Sequence, residues 1–159
     1  MSATKNILIV GVGGQGIILA SEVLASVAMQ AGYDVKQSEV HGMAQRGGSV
    51  SSHVRYGNTV NSPTIANGEA DILLSFEMLE SMRWAGFLTG KGMAVVNTQR
   101  IDPMTVASGK AEYPQNIDAS LSSKVQRLFL IDGKDIAERA GHIKAVNVAL
   151  LGVLSTLLE

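Results

Sequence analysis

The sequence predicts an α/β fold: a three-layer, Rossmann-like domain built on a mostly parallel sheet, spanning residues 1–159 as one unit. Three observations point there. Short apolar runs recur along the chain, at 6–10 (NILIV), 70–76 (ADILLSF), 92–98 (GMAVVNT) and 124–132 (KVQRLFLID). Segments of helical period lie between them. A glycine cluster, GVGGQGI at 11–17, separates the first strand from the first helix. Strands covered on both faces read as continuous apolar runs, and strands alternating with helices favour a parallel sheet.

Taken in order, 6–10 is a strand ended by Gly11. A helix follows from Gln15 to about Ala31, with Ile17, Ile18, Ala20, Val23, Leu24, Val27 and Ala28 near helical period and Gly32 as its stop. YDVKQSEV is a second strand, which makes the opening a βαβ unit. SVSSHVRYG at 49–57 is a strand and turn. ADILLSF is a buried strand, EMLESMRWAGFL a helix, and GMAVVNT another strand. The segment QRIDPMTVASGKAEYPQNIDA reads as loop and short strand, because Pro103 and Pro114 interrupt it. A strand at 124–132 and a helix at KDIAERAG come next. IKAVNVALLGVLSTLLE is a last helix with little polar face, still running at Glu159.

Composition narrows the function. Charged residues are 17% of the chain, hydrophobic ones 46%, and the net charge is −1. That is no nucleic-acid footprint, which needs clustered Lys and Arg. With no cysteine the chain offers no disulfide and no thiolate ligand for zinc or an iron–sulfur cluster. His41, His53 and His142 lack metal-ligand spacing. The N-terminal run is short and enters a glycine loop, unlike a signal peptide. No apolar stretch reaches the length of a membrane span. These features place the protein in the cytoplasm, away from membranes.

Gly11, Gly13 and Gly16 match G-x-G-x-x-G between a strand and a helix, and Gly14 adds one more position without a side chain. Such a loop takes a tight turn, lets a ligand approach the backbone, and offers amides at a helix N-terminus to an anion. No G-K-[ST] follows, since Gln15-Gly16-Ile17 supplies no phosphate lysine, so this is not a P-loop. The same glycines also serve close helix–strand packing alone, and the pattern leaves both readings open. Glu39, at the end of the second strand, stands about 20 residues on, where a dinucleotide fold holds its ribose. The second feature is SEVHGMAQRGGSVSSHVRYG at 38–57. Gly42, Arg46, Gly47 and Gly48 form an arginine-bearing turn suited to a carboxylate or phosphate. Ser38, Glu39, His41, Gln45 and Arg46 should gather near the glycine loop. No nucleophile pattern accompanies them, so no catalytic residue is assigned.

The strings ILIVGVGGQGIILASEVLA and VKQSEVHGMAQRGGSVSSHVRYG resemble the gamma domain of 2-oxoacid:ferredoxin oxidoreductases. EVHGMAQRGGSV is most similar to the beta subunit of the indolepyruvate type. LLSFEMLESMRW, VVNTQRIDP and KAVNVALLGVL resemble later parts of the same pattern, so the likeness spans nearly the whole chain. The resemblance implies a non-redox subunit of an enzyme that converts a 2-oxoacid, coenzyme A and oxidised ferredoxin to acyl-CoA, carbon dioxide and reduced ferredoxin. It implies that thiamine diphosphate, magnesium and the iron–sulfur clusters belong to a large partner subunit, and that ferredoxin is reached through the complex. Aryl pyruvates are the substrates it suggests.

Carried onto this chain, the family's loops fall on Gly11, Gly13, Gly14, Gln15 and Gly16, and on Gly42, Arg46, Gly47 and Gly48. They are the candidate contacts to coenzyme A or to partner backbone. Members of the group run on past the last helix, which leaves open whether the natural chain continues beyond Glu159. The alternative from another class is a free-standing NAD(P)- or flavin-binding Rossmann oxidoreductase using Glu39.

Overall fold

The computed structural model describes residues 4–41 and 47–158. Six strands form one sheet: β1 (Lys5–Val12), β2 (Asp34–His41), β3 (Ser49–Gly57), β4 (Ala70–Ser75), β5 (Leu88–Asn97) and β6 (Arg127–Ile131). Their order is β2-β3-β1-β4-β5-β6. The β1–β4, β4–β5 and β5–β6 pairings are parallel. β3 runs antiparallel to both neighbours. The sheet is thus mostly parallel, as expected, but its order departs from the Rossmann one. β1 and β2 point the same way with β3 between them. A hairpin return is the simplest partner for β2, and it inserts into the gap that a βαβ unit would have closed.

Helices cover both faces. On one face lies α1 (Ile17–Gln30), which buries Ile17, Ala20, Ser21, Leu24, Ala25 and Ala28 at helical spacing. They pack with Ile7, Ile9, Ile72, Leu74 and Val95 from the sheet and with Leu150 and Leu154 from α6 (Val146–Ser155). On the other face, α2 (Met78–Trp84) supplies Leu79, and α4 (Ile117–Ser122) supplies Ile117 and Leu121. They close over Leu8, Val10, Leu73, Ala94 and Val96. Alternate residues of β1 therefore feed opposite cores, the period-two consequence of the pleat. Three layers result.

Two stretches differ from the sequence reading. Between β5 and β6 no strand forms among the described residues. The chain there makes two short helices, α3 (Met104–Ala107) and α4. Pro103 stands at the N-cap of α3, where a proline costs no hydrogen bond. The helix after β4 is also shorter. It stops at Trp84, passes through a 3-10 turn at Ala85–Phe87, and β5 begins at Leu88. Helix α5 (Gly133–Arg139) packs beside α6.

α1 ends as anticipated. Gly32 takes φ of 89°, and its own N–H and that of Tyr33 reach back to the carbonyls of Met29 and Ala28.

Candidate functional site

The chain order turns back on itself at β1, with β3 on one side and β4 on the other. In open α/β sheets such a reversal leaves a crevice at the carboxyl ends of the strands. A cleft of about 800 Å³ opens there. It is lined by Gly13, Gly14, Gln15 and Gly16 from the glycine loop and Gly47 from the second loop. Phe76, Gln99, Lys144 and Asn147 complete it with neighbouring apolar side chains. A smaller hollow of about 460 Å³ adjoins it through the shared Gln99 and Ile143 and runs toward Asp132 and Lys134. The combined groove follows the carboxyl edge of the sheet from β1 to β6.

The glycines divide by role. A Cβ on Gly11 would stand 2.8 Å from Gln15 Oε1, 2.9 Å from Ile17 Cδ1 and 3.0 Å from Phe76 Cβ. Gly11 therefore serves packing. Gly16 takes φ of 80°, and a Cβ there would meet Asn147 Nδ2 at 2.9 Å, so it admits the start of α6. Gly14 has φ of 99° and faces open space. Gly13 donates its N–H to Gly48 O at 2.9 Å, which joins the two glycine segments directly. Gly14 and Gly47 both face open space and leave backbone bare to the cleft.

Other sequence-derived candidates fall elsewhere. Gly42, Gln45 and Arg46 lie outside the described residues. Ser38 and Glu39 sit in the β2–β3 ladder opposite His53 and Ser52. The interposed β3 moves Glu39 one strand, about 5 Å, farther from the glycine loop than a Rossmann acid would be. Ser51 and Ser52 are buried within β3 and not in the cleft. Ser49 instead donates to Glu80, a buried carboxylate that also accepts from Arg83 and Trp84. His53 is buried too. Its Nδ1 accepts from Ile65 N at 3.0 Å, and burial, then Arg55, lowers its pKa.

Sequence reasoning missed Lys144, Asn147 and Gln99. They come from more than 80 residues away, and only the topology brings them to the glycine loop. It also missed Glu77. This carboxylate is 1% exposed, caps α2 by accepting from Glu80 N, and takes further hydrogen bonds from Ile101 N and the Tyr113 hydroxyl. It fixes the segment that carries Gln99 and Ile101 to the cleft. An acid directly after a buried strand and before a helix was the available signal.

Comparison with known proteins decides the family. The family model described as pyruvate ferredoxin/flavodoxin oxidoreductase matches residues 6–159. The chain belongs to that family. Within it, the chain is 43% identical over 151 residues to the indolepyruvate oxidoreductase subunit IorB of Archaeoglobus fulgidus, covering 94% of itself and 75% of that subunit. It is 40% identical over 153 residues to the IorB subunit of Pyrococcus horikoshii, with 94% and 76% covered. Among solved structures it resembles 2-oxoglutarate:ferredoxin oxidoreductase from Magnetococcus marinus, solved with 2-oxoglutarate, coenzyme A and succinyl-CoA bound. The TM-score is 0.69 at 19% identity, and the match covers 98% of this chain but 24% of that one. The chain is therefore a subunit of a 2-oxoacid:ferredoxin oxidoreductase. The expected α/β fold and the expected family both hold.

Having no cysteine, the chain lacks the ligands of an iron–sulfur cluster. Among the described residues, no three His, Asp or Glu side chains gather as a metal site. No helix among them is long and apolar enough to cross a membrane.

Proposed function

We propose that this chain is the small, non-redox subunit of an indolepyruvate-type oxidoreductase, and that its cleft receives part of coenzyme A. The observation that carries the subunit type is the 40–43% identity to IorB subunits across 94% of the chain. In this reading a large partner subunit holds thiamine diphosphate, magnesium and the iron–sulfur clusters, which supply decarboxylation and electron transfer to ferredoxin. The residues of this chain bind, orient and exclude water.

Three features support coenzyme A as the cleft's ligand. The bare backbone at Gly14 and Gly47 leaves room for close approach. The cleft sits at the N-terminus of the 14-residue α1, whose first amides have no side-chain cap and favour an anion. Lys144 lines the same cleft, and Lys134 stands at the far end of the groove. An elongated ligand with phosphates at one end matches that shape. Gly11 and Gly16, by contrast, serve packing, so the glycine motif by itself does not argue for a nucleotide. Arg46, carried by the second loop, is proposed as a further phosphate contact.

Titration of coenzyme A into the assembled enzyme tests this, with hydrogen exchange as the readout. We expect slower exchange at residues 13–17 and a rise of about tenfold in the KM for coenzyme A on Arg46→Ala, the loss of one charge-assisted contact. Unchanged exchange and an unchanged KM together would remove coenzyme A from this cleft.

A further inference from the structure

Gln15 lies in the middle of the glycine segment, yet both hydrogens of its carboxamide are used within the chain. Its Oε1 accepts from Val12 N at 2.8 Å. Its Nε2 donates to Phe76 O at 2.8 Å and to Gln99 Oε1 at 3.2 Å. A primary amide has two donor hydrogens, so none is left for a ligand. The place is prepared for it, since the missing Cβ of Gly11 is what lets Gln15 Oε1 lie there.

Phe76 O accepts a second hydrogen bond, from Asn97 Nδ2 at 3.1 Å. Asn97 Nδ2 also lies 3.4 Å from Gln99 Oε1, and Asn97 Oδ1 accepts from Gly133 N at 3.0 Å. A run of neutral amides thus ties together the glycine loop, the ends of β4 and β5, and the start of α5. These segments surround the cleft. Asn97 is buried and belongs to the core, whereas Gln15 holds only the glycine loop.

We propose that Gln15 is a positioning residue for the cleft's ligand. It fastens the glycine loop to the ends of β4 and β5, so that the backbone from Gly13 to Gly16 meets the ligand in one preset arrangement. It lines the cleft but has no donor hydrogen left for the ligand, so it acts through the loop it holds. A loop this rich in glycine is costly to order, and ordering it before binding spares that cost at the moment of binding. The inference rests on the reading of the cleft as a coenzyme A contact.

Gln15→Glu tests it in the assembled enzyme. Glutamate keeps the shape and the acceptor for Val12 N, but sets an oxygen against Phe76 O and Gln99 Oε1. We expect amide exchange at residues 13–17 to quicken about tenfold or more. The KM for coenzyme A should rise about tenfold while kcat stays within about twofold. Gln99→Ala removes only one of the two acceptors of Gln15 Nε2, and should shift both readings the same way by about two- to threefold. It serves if the glutamate variant fails to assemble.

Coenzyme A must first slow exchange at residues 13–17 in the wild-type enzyme. If it does not, the cleft reading has failed and the positioning role falls with it. If the wild type is protected but both variants keep the wild-type KM and exchange, only the positioning role is overturned. A parallel loss of kcat with faster exchange throughout the sheet would also overturn it, as the mark of a general folding defect.

Discussion

Single residues in this protein do unlike work under similar appearances, and the glycines show it. Gly14 and Gly16 both have positive φ, but only Gly16 lacks space for a side chain. Alanine at either position meets the strain of a left-handed backbone, about 1 kcal/mol. Alanine at Gly16 must also displace Asn147, which raises the cost to about 2–3 kcal/mol. Urea denaturation of the two variants should show Gly16→Ala the weaker by at least about 1 kcal/mol. His53 gives a second test. Burial lowers its pKa below the ordinary 6.5, with Arg55 adding to the effect. The unfolded chain therefore binds a proton near pH 6.5 that the native chain refuses. Stability from this site is full above that pH and falls as the pH drops from 6.5 toward the native pKa, where the slope ends. His53→Gln should flatten that part of the stability–pH curve, whatever its effect on absolute stability.

At the scale of elements, the buried acid after β4 matters more than any cap of the usual kind. Glu77 accepts hydrogen bonds from α2, from Ile101 and from Tyr113, and Arg100 stacks 4.1 Å from the Tyr113 ring centre. Burial, then the bond to Glu77, raises the Tyr113 pKa well above the ordinary phenol. Tyr113→Phe removes one donor and should cost about 1–2 kcal/mol. Glu77→Ala strands three donors, two of them buried, and should cost about 3–5 kcal/mol. It should also loosen residues 99–113 first, a difference that hydrogen exchange resolves.

Elements themselves were largely legible, because a buried strand and an amphipathic helix carry their periods in the sequence. β1, α1, β4 and the core of β5 lie where their apolar patterns put them. Residues 99–119 were not legible as helices, since α3 and α4 have only 4 and 6 residues and too few turns to show a period. Nor was the strand order. Nothing local in β3 tells whether it pairs at an edge or slips between β1 and β2. The same limit hid Lys144, Asn147 and Gln99. The glycine loop announced where the cleft would be, but its opposite wall is set by long-range packing.

At the scale of the whole molecule, the fold presents a long groove with few charges, on a chain with no cysteine, in a family of oxidoreductases. The Magnetococcus enzyme carries a matching unit as about a quarter of one of its chains, so the same fold occurs within a larger chain there. An apolar groove between α1 and α6, about 390 Å³ and flanked by the exposed Leu19, Val23, Val27 and Val148, adds surface that water solvates poorly. Both properties give the last prediction. The isolated chain should reduce no ferredoxin with any 2-oxoacid. Co-expressed with its large subunit it should co-elute on sizing, and coenzyme A-dependent turnover should appear only in that shared peak. Two separate peaks, with full turnover in the large subunit alone, would show that this chain is not needed to complete the enzyme.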